Sequence, residues 1–433
     1  MKRLIYDSLL KWKESPLRKP LILLGARQVG KTYILKKFGA DEYSGVVYVN
    51  CHNNPVAENL FKEDFDMPRI FLQLEALTGV KPLAGETLII FDEIQEIRNG
   101  IASLKYFCEN APEFHIAVAG SLLGISLRGE ESYPVGKVDT LHMYPMGFEE
   151  FLMAKGENIL IDAIKEGQWD VVLPFHDKLT QILREYYYVG GMPEVVKAYM
   201  DGIQLQEIRG LQLQILDAYY RDMAKHTVSQ VEKIRLVWRS VPSQLARENK
   251  KFIFGAVRKG GRGRDFEESL QWLVDCGLII KIDRVKEGRP PLKFYSDISE
   301  FKVYLLDVGL LGAAFDTEAI DVLAGDNAFK EFKGAFTENY VAQQLQLKLD
   351  SPFYYYSQDI PNMEIDFLYS LGKRVIAIES KAEQNVRSKS LYKFTEIEKN
   401  IGVDIKSLRF SMLPYIKQDW MTNIPLYGIF NQY

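Results

Sequence analysis

The stretch Gly25-Ala26-Arg27-Gln28-Val29-Gly30-Lys31-Thr32 constrains this chain more than any other. It fits G-x-x-x-x-G-K-[ST], a loop that cradles phosphate between a strand and a helix. The apolar run Leu21–Leu24 precedes it and reads as a buried strand, and Tyr33–Phe38 follows and reads as the opening of a helix. Glycines allow the tight turn, so successive N–H groups point inward at an anion. The helix N-terminus adds partial positive charge. Lys31 is expected to reach the β- and γ-phosphates and the Thr32 hydroxyl to ligate Mg²⁺. Gly25, Ala26, Arg27, Gln28, Val29, Gly30, Lys31, Thr32 and Tyr33 are the candidate cofactor contacts.

Five short apolar runs make the sheet that such a loop needs: Leu21–Leu24, Val46–Val49, Leu88–Phe91, Ile116–Ala119 and Val138–Met143. Helical or mixed segments separate the first four, which implies a parallel three-layer α/β sheet. Ligands of such sheets sit at the carboxyl ends of the strands. There, Thr87–Phe91 runs into Asp92-Glu93, a Walker B pattern. Asp92 is expected in the Mg²⁺ shell and Glu93 to activate the attacking water. Ser121, after Ile116–Gly120, either senses the γ-phosphate or is a capping serine; the residues alone leave both open.

Gly-x-Arg-Gln-x-Gly-Lys-Thr, Phe-Asp-Glu-Ile-Gln and Gly-Ser-Leu-Leu, in this order, resemble a bacterial and archaeal AAA+-type P-loop ATPase family. That family carries a C-terminal domain of unknown function related to the PD-(D/E)xK nuclease fold. Tyr144–Phe151 and Val189–Val195 resemble two further family phrases, the second read as a structural turn in a helical lid. The resemblance implies ATP and Mg²⁺ as cofactors and a homo-oligomer with ATP at subunit junctions. Lys137 stands where the family commonly has arginine and lacks its planar fork. Arg128 and Arg184 are the other candidates for a finger acting on a neighbour's nucleotide.

Composition bounds the rest. Length 433 suggests about three domains. Hydrophobic content of 47% suits a folded chain, and net charge of -4 advertises no global nucleic-acid field. Cys51, Cys108 and Cys276 are scattered and odd in number, against a disulfide framework or a zinc site. No signal peptide or membrane-length run is read, so a cytoplasmic location is expected.

From Leu152 to about Asp222 the pattern is helical, followed by a unit over about 225–284. Its end, Leu270–Ile279, resembles a winged-helix phrase. Arg247, Lys250, Lys251, Arg258, Lys259, Arg262 and Arg264 form a basic stretch opposed only by Glu248 and ending in flexible glycines. It could neutralise several phosphates of DNA, or be a solvated loop.

Lys302–Leu310 resembles the phrase that opens the C-terminal domain, with Asp307 and Gly309 turning a strand into a helix. Gly334–Val341 reads as a helix carrying Glu338, and Phe353–Tyr356 as a packed strand. Two more strands, Met363–Leu368 and Arg374–Lys381, carry a D…E-x-K constellation. Glu379 and Lys381 are two apart on a strand and share a face, and Asp366 on its neighbour could meet them. Glu338, Asp366 and Glu379 are thus candidate ligands of Mg²⁺ or Mn²⁺, with Lys381 orienting or deprotonating water on a phosphodiester. Ile365-Asp366 stands for the Pro-Asp of the nuclease signature.

The expected fold is α/β. It comprises a P-loop AAA+-type parallel sheet core over 1–152, a helical lid over 153–222, a winged-helix-like unit over 223–290 and a restriction-endonuclease-like α/β domain over 291–433. The expected function is ATP binding and hydrolysis, DNA-associated, coupled to the nuclease-like domain. Its catalytic groups are Lys31 and Glu93, then Asp366, Glu379 and Lys381. The rival is a nucleotide-controlled interaction switch whose C-terminal domain is a non-catalytic binding module. A protein remodeller is a third reading, for which no substrate loop is visible.

Overall fold

The computed structural model describes residues 1–62, 64–120, 134–224, 228–247, 250–324, 330–358, 363–382 and 388–431. They divide into two compact units. One comprises Lys2–Tyr144 with Asp275–Gly277; the other comprises Pro145–Val274 and Leu278–Tyr433, with Met1.

The first unit is built on strands β1 (Leu21–Leu24), β2 (Gly45–Asn50), β3 (Thr87–Asp92), β4 (His115–Ala119) and β5 (Asp139–His142). All pair in parallel, in the order β2-β3-β4-β1-β5. β3 and β4 are buried at every residue, as strands covered on both faces must be. Phe61, Phe71, Phe91 and Phe107 fill the layer beneath the sheet with Ile70, Leu74, Ile101 and Leu104. This order sets the carboxyl ends of β3, β4 and β1 side by side. The loops leaving those three strands therefore converge.

The second unit opens with helices, among them His176–Val189, Leu205–Met223, Val228–Leu245 and Gly263–Asp275. An eight-stranded mixed sheet follows: β6 (Ile279–Val285), β7 (Ser296–Leu305), β8 (Tyr354–Gln358), β9 (Met363–Leu371), β10 (Arg374–Lys381), β11 (Ile405–Ser411), β12 (Ile416–Lys417) and β13 (Met421–Pro425). Its order is β12-β13-β11-β10-β9-β8-β6-β7. Tyr354, Ile365, Leu368, Val375, Leu391 and Phe394 form the core on one side. The helix Lys330–Lys348 packs on β10 and β7.

The units part at Tyr144/Pro145, ahead of the expected break at 152, because Phe148 and Phe151 are buried against Tyr186. The expected break at 290 falls between β6 and β7, which are antiparallel partners in one sheet. The strand that ends the winged-helix-like phrase is thus β6 of the C-terminal sheet, where it also pairs with β8.

A buried polar node joins the phrases of the second unit. Asp307 caps the helix Val308–Ala314 through Leu310 N, at 2.9 Å. It also accepts from Gly191 N at 2.6 Å and from Gln343 Nε2 at 3.2 Å. Tyr186 donates to Met146 O at 2.6 Å and accepts from Gln343. The Gly190-Gly191 turn is therefore held by an acid far along the chain, and any Cβ at Gly190 would meet Asp307 Oδ1 at 2.2 Å.

Candidate functional site

In the first unit the phosphate loop runs from β1 into the helix Lys31–Glu42. Gly25 has φ 146°, and a Cβ there would meet Met143 O at 2.1 Å. Gly30 has φ 96° and Gln28 φ 67°, so the loop turns through left-handed backbone at both. Arg3 is buried and clamps the loop from outside, donating to Val29 O at 2.9 Å and Tyr144 O at 2.7 Å. The sequence reading assigned Arg3 no role; only a basic residue before an amphipathic helix marked it.

Lys31 is 8% exposed and folds back on the loop, donating to Gly25 O at 2.7 Å and Ala26 O at 2.8 Å. Burial pushes its pKa down to about 8, against the opposing charges of Glu93 and Asp92. Thr32 Oγ1 donates to Asp92 Oδ2 at 2.8 Å, and Tyr48 OH donates to the same oxygen at 3.0 Å. The loop hydroxyl and the Walker B carboxylate are thus already joined. Tyr48 was missed, since a tyrosine in a strand reads as packing. Burial, followed by the charge of Asp92, holds its phenol well above its ordinary value.

Glu93 follows β3 in left-handed backbone, φ 54° and ψ 42°, an uncommon state for a residue with a side chain. Its amide donates to Ala119 O at 2.7 Å, which anchors it to the end of β4. Gln95 Nε2 donates to its carboxylate at 2.5 Å. A Cβ on Gly120 would lie 2.2 Å from Gln95 Oε1, so Gln95 reaches Glu93 because residue 120 is glycine. Arg27 and Tyr33 are exposed beside the loop. Ser121 and Arg128 lie outside the described residues. Lys137 pairs with Glu109 at 2.9 Å.

These residues fit a nucleoside triphosphate with Mg²⁺. The loop has no room for a side chain at Gly25, the lysine binds loop carbonyls, and a hydroxyl meets a carboxylate where the metal would be held.

In the second unit, Glu379 and Lys381 do share a face of β10 and pair at 3.0 Å. Asp366 on β9 accepts from Ser380 N at 2.7 Å and Ser380 Oγ at 2.9 Å. Burial pushes its pKa up to about 6; Glu338's charge adds to this and Lys302 opposes it. Glu338 projects from its helix toward the same sheet, where Tyr304 OH donates to it at 3.1 Å.

Two lysines given no part in this site complete it. Lys250 donates to Glu338 Oε1. Lys302, with a side chain 1% exposed, lies 3.7 Å from Glu338 Oε2 and 2.5 Å from Glu364 Oε1. Burial alone would lower the Lys302 pKa, yet Glu338, Glu364 and Asp366 raise it on balance. Burial likewise works to raise Glu338, but Lys250 and Lys302 bring it down. A signal for Lys302 did exist: it is two residues from Tyr304 in Phe301–Leu305, the buried half of its strand, where the other residues are apolar or aromatic. Among the described residues, no group of three His, Cys, Asp or Glu is arranged to hold a metal ion.

The basic stretch is thereby reduced. Lys250 turns inward, and Lys251 pairs with Glu300 at 2.8 Å. Arg247, Arg258, Lys259, Arg262 and Arg264 remain exposed. Gly263, expected in a flexible end, begins the helix Gly263–Asp275. Among the described residues no helix is long and apolar enough to cross a membrane.

A family model described as an AAA domain matches residues 17–152. Models of two domains of unknown function, DUF8612 and DUF4143, match 180–321 and 333–427. No curated protein matches the chain. Among solved structures, the ORC1 protein of Aeropyrum pernix in complex with DNA is 13% identical at a TM-score of 0.30, covering 73% of this chain and 93% of that one. Drosophila ORC bound to DNA is 12% identical at 0.25, covering 72% and 84%. Likeness at those TM-scores carries no argument. Residues 17–152 are thus similar to an AAA domain, and the family that matches 333–427 is a domain of unknown function.

Proposed function

We propose that this chain binds and hydrolyses ATP with Mg²⁺, and that its nucleotide state is coupled to the C-terminal domain. The observation that carries the reading is the Thr32–Asp92 contact beneath a buried, loop-bound Lys31, with Glu93 poised beside it. When bound, Mg²⁺ neutralises charge on the transferred phosphoryl group. Thr32 and Asp92 would hold it. Lys31 exchanges its two loop carbonyls for phosphate oxygens, and the loop amides bind the remainder. Glu93, held by Gln95, accepts a proton from the attacking water. Ser121 is proposed to sense the γ-phosphate. A homo-oligomer and a cytoplasmic setting go with this reading, the latter supported by cysteines that form no disulfide.

Steady-state hydrolysis tests it. Lys31→Ala is expected to abolish nucleotide binding. Glu93→Gln should keep binding while turnover falls about 10²–10⁴-fold, the usual range for a lost general base. Unchanged turnover in pure Glu93→Gln protein overturns the assignment.

DNA association remains part of the proposal, through the five exposed arginines and lysines of 247–264 and a winged-helix-like middle. For the C-terminal domain, the nuclease-like fold is proposed with a non-catalytic binding role. Glu338, whose oxygens are taken by Lys250, Lys302 and Tyr304, favours this over cleavage by Asp366, Glu379 and Lys381.

A further inference from the structure

We infer that the carboxylate cluster of the C-terminal sheet carries its own cations: the ammonium groups of Lys250 and Lys302 stand where a divalent metal would be needed, and the native site takes none. The inference deepens the non-catalytic reading of this site and rests on it. It is independent of ATP chemistry at the first unit.

Hard divalent cations are bound by several carboxylate or carbonyl oxygens whose summed charge is negative and whose lone pairs face one point. Here the acids are individually engaged. Glu338 gives one oxygen to Lys250 and the other to Lys302 and Tyr304. Glu364 is bound by Lys302 at 2.5 Å, and Glu379 by Lys381 at 3.0 Å through Oε1 while its buried Oε2 has no hydrogen-bond partner among the described residues. Asp366 is satisfied by the amide and hydroxyl of Ser380. Three ammonium groups thus pair with three of the four acids in the cluster. A metal entering it would have to displace a buried ammonium, leaving a charge without water or a counter-ion.

The two lysines differ in origin. Lys302 lies on β7 beside Tyr304, inside the sheet's own framework. Lys250 comes from the connection between the helices Val228–Leu245 and Phe254–Val257, 88 residues before Glu338. Phe252 N bonds to Phe301 O at 2.9 Å and Lys251 bridges to Lys302, so the backbone just after Lys250 is docked on β7. Lys250 is therefore the ammonium whose removal leaves the sheet intact.

The test is Mn²⁺ binding to nucleotide-free full-length protein, by isothermal titration and by electron paramagnetic resonance of free Mn²⁺, with thermal melting beside it. The expected result is no binding at Asp366 in wild type and no change of melting with EDTA. Lys250→Gln is expected to gain Mn²⁺ affinity by about tenfold or more, the scale of one like charge removed from a partly buried site. Asp366→Asn in that background should abolish the gain, and Lys250→Arg should behave as wild type. Should Lys250→Gln not fold, wild type alone still decides. Mn²⁺ binding by wild type that Asp366→Asn removes overturns the inference while leaving the non-catalytic reading in place. Metal-dependent DNA cleavage by wild type that Lys381→Ala removes overturns both. A folded Lys250→Gln with no gain in affinity also overturns the inference.

Discussion

At the scale of single residues, the proposed phosphate ligand Lys31 would couple the fold to nucleotide binding. Its ammonium is buried against carbonyls and its pKa is pushed down to about 8. The protonated form is thus disfavoured in the folded protein, so burial of Lys31 costs stability below about pH 8. That cost is relieved as pH rises toward the unfolded value. Nucleotide binding has the opposite sign, since phosphate oxygens need the ammonium. Affinity for a fluorescent ATP analogue is expected to be flat from pH 6.5 to 7.5 and to fall through pH 8–9; affinity still flat at pH 9 contradicts the shift. The positions of Lys31, Thr32, Asp92 and Glu93 at the strand ends were legible because each lies at a fixed chain distance within a motif. Tyr48, Gln95 and Arg3 were not. Their contribution depends on where a hydroxyl, an amide and a guanidinium arrive after folding, and nothing in their neighbours along the chain marks it.

At the scale of elements, the strands of the phosphate-loop unit were all anticipated as runs of apolar residues, whereas β11, β12 and β13 of the second sheet were not individually read. Pairing order was not, because a run of Val and Ile records burial and not which neighbour supplies the hydrogen bonds. The turn at Gly190-Gly191 shows what holds an element in place. Asp307 gives the turn, a helix start and Gln343 one shared carboxylate. Burial pushes its pKa up, but its four hydrogen-bond donors resist. Asp307→Ala would leave the Gly191 and Leu310 amides buried without acceptors. A loss of about 2–4 kcal/mol is expected, from one cap and one or two orphaned donors. Urea unfolding followed by tryptophan fluorescence measures it, and a loss under about 0.5 kcal/mol would mean that the node is not structural.

At the scale of the molecule, the two compact units have separate cores and separate chemistry. Saturating Mg-ATP is therefore expected to raise the melting transition of the unit carrying Lys31. At about a hundred times Kd the linked stabilisation is about 2.7 kcal/mol. Lys31→Ala should cancel that shift in calorimetry, and a shift that Lys31→Ala retains would contradict nucleotide binding at the loop. What the sequence by itself determined is the phosphate loop, the Walker B end and the face shared by Glu379 and Lys381, since each is set by local backbone geometry at short separation. Only the tertiary structure decided that Lys250 and Lys302 sit on those acids. Lys250 reads as one more solvated charge in a basic run. An ion pair 88 residues long in sequence is written in no local pattern. It is chosen by the burial of Glu338, which leaves that carboxylate dependent on whichever cations the packed chain brings to it.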